Sequence, residues 1–233
     1  MTEQLWIVAG TAASYLVGAW LGIPALVPVL NTLPAFPFLL LALKEEKTAL
    51  AVTRMLVWAL ALAVCATTLA YLQPARTERL FFNAAAYRRE MLDWIMTGRG
   101  AEGRPSQFIP QHLLHATVFV ALALATGSVL AMPMGAVLMN YMGHYVGSLA
   151  AASPHPFEVL LLGWHPWAIV RVASFVTLGV VLGGPVLARL AGFRYRLANH
   201  LPLVGLAVVG LAVDVIMKWL LAATWAQLIR DSL

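Results

Sequence analysis

The chain has 233 residues, 61% of them apolar and 11% charged, with a formal net charge of +5 and a mean hydropathy of +0.83. A soluble domain carries about 25% charged residues, so this composition excludes a soluble enzyme, a disordered chain and a collagen-like fibre. Most of the surface must face lipid, and one span takes about 20 apolar residues, so residues 1–233 read as a single integral membrane domain.

The opening Met-Thr-Glu-Gln has no basic n-region, so the first apolar run reads as a span rather than a cleavable signal peptide. Seven apolar segments follow, at about 5–22, 26–43, 49–72, 110–131, 134–152, 166–188 and 201–222. They predict an all-α, polytopic helical membrane protein of six or seven spans, some of them broken by proline. The first two segments form one apolar stretch. As a single helix it would run roughly 58 Å, against a hydrocarbon core of roughly 30 Å. Pro24, Pro28, Pro34 and Pro37 break it into a hairpin or a span plus a re-entrant piece. Pro133 marks the expected turn in the apolar run from Pro110 to Ala152. The single cysteine, Cys65, lies within an apolar run and rules out an internal disulfide framework.

Alternation of the segments gives the molecule two ends. The turn around Lys44–Lys47 and the stretch Arg189–Arg196 share end Y. The loop 73–109 and the connection 153–165 share end X. The density of basic residues in the short loops assigns Y to the cytoplasm of a cell (inner) membrane. In the X loop, Leu80, Ala84, Tyr87, Met91 and Trp94 recur at helical spacing, which predicts an amphipathic helix over Thr77–Met96 lying in the headgroup plane, with capping of the bundle or docking of a partner as alternatives. It is followed by "GRGAEG". These letters match a dinucleotide fingerprint, but the strand that such a motif needs before it is missing. The loop reads as a mobile basic connector, with contact of Arg99 and Arg104 to a phosphate or lipid headgroup as the alternative.

The polar residues are unevenly placed. All six histidines follow residue 111, and topology brings His112, His115, His144, His155 and His165 towards X. Arg171 lies near the X end of its segment with no carboxylate close in sequence, and Glu158 or Asp214 could reach it across the bundle. Asp214 and Lys218 form an i, i+4 pair that would satisfy itself within the last segment. Ionisable groups at membrane depth mark functional sites by default. The candidate ligand pocket is therefore His112, His115, His144, Arg171, Asp214 and Lys218, with Arg171 and Lys218 expected to hold an anionic group and the histidines to relay protons. Imidazoles also bind zinc or haem, with His112, His115, His144 and His165 as candidate donors, although no ligand-spacing motif favours either cofactor. No H-E-x-x-H, G-x-S-x-G or phosphate-binding loop occurs.

Three pairs, Gly18/Gly22, Gly143/Gly147 and Gly179/Gly183, have the spacing that lets helices approach closely in lipid. The string G-x-x-L-G-x-P-x-L occurs twice, at Gly18–Leu26 and Gly179–Leu187. The leading functional expectation is a small transporter, permease subunit or membrane assembly partner handling an anionic or lipid-like ligand. Two alternatives stay open: a metal- or haem-dependent enzyme acting on a lipid or quinone, and a structural subunit of a larger complex. The expected partners are the lipid bilayer and further copies or other membrane proteins. No aromatic-basic pattern points to nucleic acid.

Overall fold

The structure, a computed structural model, describes residues 2–233, and among these it is helical with no strand. The first helix, α1 (Thr2–Leu21), stops at Gly22, whose φ of +66° is the left-handed turn that glycine tolerates best. A 3₁₀ turn at Pro24–Leu26 then leads into α2 (Val27–Thr32) and α3 (Phe36–Lys44). α1 and the returning chain form an antiparallel hairpin: Gly18 faces Val27 and Gly10 faces Pro34.

α4 (Thr48–Leu72) crosses from Y to X. The next stretch departs from expectation. Instead of one amphipathic helix over 77–96 there are two, α5 (Pro74–Leu80) and α6 (Ala84–Thr97), separated by extended Phe81 and left-handed Asn83. Leaving the helix lets Phe81 bury its ring edge-on against Tyr15 (5.8 Å between centroids) and His144 (6.5 Å). α6 buries Met91, Trp94 and Ile95, and this apolar face caps the X end of the bundle.

α7 (Pro105–Thr126) and α8 (Ala131–Ala152) turn at Gly127 and Ser128, both at positive φ. The turn thus falls before Pro133, which sits in the first turn of α8, where its missing N–H costs nothing. α7 also begins five residues before the expected segment and carries Pro110 inside it. The short α9 (Pro156–Gly163) leads to α10 (Pro166–Ala191) and α11 (Leu201–Asp231). The last helix extends nine residues beyond the expected end at 222.

Among the described residues, six stretches are long and apolar enough to cross a membrane: 2–21, 24–44, 48–72, 105–126, 166–191 and 197–231. α8 has similar length but lies outside that set, because it carries Asn140, His144 and Ser148 as the buried hub of the bundle. Of its 22 residues, 14 are buried. It seats on α4 through the Gly143/Gly147 pair: a Cβ on Gly143 would lie 3.0 Å from the Thr67 amide nitrogen, and one on Gly147 would lie 2.7 Å from the Ala70 Cβ. α11 is the opposite case and exposes Leu206, Val209, Val213, Ile216 and Trp219.

A buried hydrogen-bond chain ties the N-terminal half to α8. The Tyr15 hydroxyl donates to Asn140 Oδ1 (2.6 Å), Asn140 Nδ2 to Asn31 Oδ1 (3.0 Å), and Asn31 Nδ2 to Ser14 Oγ (2.8 Å). The Trp58 indole donates to the Asn31 carbonyl at 2.8 Å. Both ends carry the contacts that the alternation of segments requires. At Y, Thr48 Oγ1 lies 3.3 Å from His200 Nε2. At X, Ser153 donates to the Ser232 carbonyl (2.5 Å) and Arg230 reaches the Met96 carbonyl (3.4 Å).

Candidate functional site

A cavity of about 340 Å³ runs between α4, α6, α7, α8 and α10. Its walls divide by polarity. Tyr87 and Glu90 from α6, Glu102 from the following loop, Gln111, His112 and His115 from α7, and Arg171 from α10 line the part nearer X. Leu39, Met55, Phe119, Met132, Phe175 and Val180 line the part that reaches towards Y.

Behind the polar wall lies a set of buried charges. Asp214 on α11, with no exposed side-chain surface, accepts from Arg171 Nε (2.9 Å) and Nη2 (3.0 Å). Its Oδ2 is also 3.0 Å from His112 Nε2. His112 Nδ1 lies 3.0 Å from the Phe108 carbonyl, so both ring nitrogens face acceptors. Lys218, one turn along α11, pairs with Glu102 at 2.8 Å and lies 4.7 Å from the centre of the Phe108 ring. The expected i, i+4 pair of Asp214 with Lys218 is therefore not the pairing adopted. Each takes a partner from another segment, because a side chain buried at a helix–helix contact meets its neighbours across that contact.

Glu102 belongs to the loop that the sequence reads as a mobile connector. The loop instead folds back onto the bundle. Gly103 approaches so closely that a Cβ there would lie 3.1 Å from Trp94 Cδ1. Burial by itself would raise the Glu102 carboxyl, but Lys218, Arg171 and His165 outweigh it and hold its pKa below the ordinary value. Glu90 has neither an ion-pair nor a hydrogen-bond partner among the described residues. Partial enclosure and the neighbouring Glu102 raise its pKa, with Lys218 opposing.

The six candidate ligand residues do not all meet. His112, His115 and Arg171 line the cavity, and Asp214 and Lys218 stand directly behind Arg171 and Glu102. His144 is elsewhere: its Nδ1 is 3.1 Å from Thr77 Oγ1, its Nε2 is 4.0 Å from Glu78, and it is not on the cavity wall. Helix rotation separates it from the others, since α8 turns Tyr141 and Met142 to the cavity and His144 to α5. His165 is buried in an aromatic box. It stacks on Trp167 (centroids 4.6 Å apart) and meets Trp94 edge-on, and burial pushes its pKa down to about 4. The four candidate metal donors are thus dispersed. Among the described residues no three His, Cys, Asp or Glu side chains are arranged to hold a metal ion. Arg99 and Arg104 are exposed and off the cavity wall, with Arg99 4.0 Å from Asp93.

Sequence reasoning missed Glu90, Glu102, Tyr87 and Tyr141. The amphipathic pattern over Thr77–Met96 contained two of them, but it indicated which face is apolar without indicating that the polar edge borders a cavity. No protein-family model, curated protein or solved structure matches the chain.

Proposed function

We propose that this chain is an integral protein of the cell (inner) membrane that binds a lipid-like amphiphile in the interhelical cavity, as a small transporter, permease subunit or membrane assembly partner. The observation that carries this reading is the division of the cavity walls. Polar and charged groups gather at the X end and aliphatic and aromatic groups deeper, matching a molecule with a polar head and an apolar tail. The volume falls within the range of about 300–1,000 Å³ typical of small-molecule sites. The outward apolar faces of α1 and α11 support a lipid environment, with Leu16, Trp20, Leu206 and Trp219 each more than half exposed. By the positive-inside rule, Lys44–Lys47 and Arg189–Arg196 face the cytoplasm.

Native mass spectrometry of the protein purified in a maltoside detergent tests the binding. Wild type should carry a lipid-sized adduct. Gly135→Leu should lose it: Gly135 lines the cavity, and the one atom near its added Cβ is in the Phe119 ring at 3.9 Å. Gly205→Leu, at a position with open space around it, should retain it. Equal adducts in all three would remove the cavity from the function.

A further inference from the structure

We infer that the head of the bound amphiphile carries a positive charge, received by Glu90 beside the aromatic pair Tyr87 and Tyr141. This rests on the reading that the cavity takes an amphiphile, and it concerns only the charge of the head. The first ground is the pairing of charges. Arg171 commits two of its three guanidinium nitrogens to Asp214, and Lys218 is matched by Glu102. The two cations that would hold an anion are each already neutralised. Glu90 is the charged group on the cavity wall that remains without a partner among the described residues, and its charge is negative.

The second ground is the surface around it. Tyr87 precedes Glu90 by three residues on α6, so the two share a helix face. The Tyr87 ring stacks on that of Tyr141 from α8, with centroids 5.4 Å apart and planes 27° from parallel. Both tyrosines line the cavity. Aromatic faces beside a carboxylate form the arrangement that attracts amines and quaternary ammonium groups, since the ring quadrupole adds to the carboxylate charge. The same chemistry already operates nearby, where Lys218 pairs with Glu102 and lies over the Phe108 ring.

Four probes with one dodecyl tail separate the possibilities: dodecyltrimethylammonium, dodecylphosphocholine, dodecyl phosphate and dodecyl maltoside. Affinities are read by thermal shift and native mass spectrometry on the full chain. Dodecyltrimethylammonium should bind at least about tenfold tighter than dodecyl phosphate, the scale of one desolvated cation–aromatic contact. Glu90→Gln, at an exposed position, should remove about that factor for the trimethylammonium probe and leave dodecyl maltoside unchanged. Dodecylphosphocholine binding as tightly as the trimethylammonium probe also supports the inference, provided Glu90→Gln weakens it. Preference for dodecyl phosphate, or no effect of Glu90→Gln, overturns the inference while the cavity stands, provided Gly135→Leu still abolishes binding. If Gly135→Leu and Val176→Phe, the latter at a second position on the cavity wall, each checked for folding by circular dichroism, bind every probe like wild type, the cavity reading fails and this inference fails with it.

Discussion

Asp214 grips Arg171 through two parallel hydrogen bonds, 2.9 and 3.0 Å long, that join the middle of α11 to α10 beside the cavity. α10 has no acid to offer Arg171, and Asp214 passes over Lys218 one turn along its own helix, so the pair measures how the bundle is assembled. Asp214→Ala should destabilise the protein by about 3–5 kcal/mol, because it leaves the guanidinium buried without its counter-ion. The double variant Arg171→Met/Asp214→Leu should recover most of that loss, since apolar residues of similar volume often replace a buried ion pair at little cost. Thermal unfolding in detergent reads both. A single variant as stable as wild type would show that the contact contributes nothing.

The loop holding Glu102 is clamped by Lys218. Glu102→Ala should release it and make the bond after Arg99 several times more susceptible to trypsin, while cleavage at the Lys47 turn at the other end stays constant. An unchanged cleavage rate after Arg99 would mean that the loop is held by Gly103 packing alone.

Acid should destabilise the fold through His165. Its folded pKa lies near 4, below an ordinary value of 6.5, so between those values the unfolded chain binds the extra proton. Stability therefore falls as pH drops from about 6.5 to about 4, by roughly 3 kcal/mol over the window. Glu102, with its pKa also depressed, adds a loss in the same direction as pH falls through its folded value. His165→Phe keeps a ring to stack on Trp167 and removes the titration. It should make the dependence of melting temperature on pH between 7 and 4.5 shallower, and a slope as steep as that of wild type would exonerate this histidine.

Tyr195 repairs a defect in α10. Pro185 lacks the N–H that would bond to the Val181 carbonyl one turn earlier, and the Tyr195 hydroxyl donates to that carbonyl at 3.0 Å. The adjacent Gly184 leaves room for the Tyr195 ring; a Cβ there would lie 2.7 Å from Cε2. Tyr195→Phe should cost about 1 kcal/mol, the usual worth of one hydrogen bond, and Gly184→Leu should cost more by expelling the ring. Chemical denaturation compares the two, and a Gly184→Leu protein more stable than Tyr195→Phe contradicts the account.

Much of the architecture was legible from local features. Apolar run lengths locate the helices, and prolines at Pro74, Pro105, Pro156 and Pro166 each open one, because the first turn needs no N–H from them. The alternation of segments is enough to place the Lys44–Lys47 turn and His200 at one end, and the loop 73–109 and the C-terminus at the other. The concentration of ionisable groups towards X was legible too, because each such group is conspicuous in an apolar chain. The hydrogen-bonded chain from Tyr15 to Asn31 was not, since neutral Asn, Tyr and Ser side chains carry no charge to mark them in the sequence.

Pairing and local conformation were decided only in three dimensions. Composition alone fixes what the repeated string G-x-x-L-G-x-P-x-L contains, but not what it does: at Gly18–Leu26 it ends α1 and turns the chain, whereas at Gly179–Leu187 it continues as helix. In the second copy Tyr195 supplies the hydrogen bond that Pro185 cannot. In the same way Asp214 and Lys218 stand one turn apart in sequence, yet each binds a partner from another segment. A buried polar group goes where its hydrogen bonds can be completed, and that place is set by which helices meet.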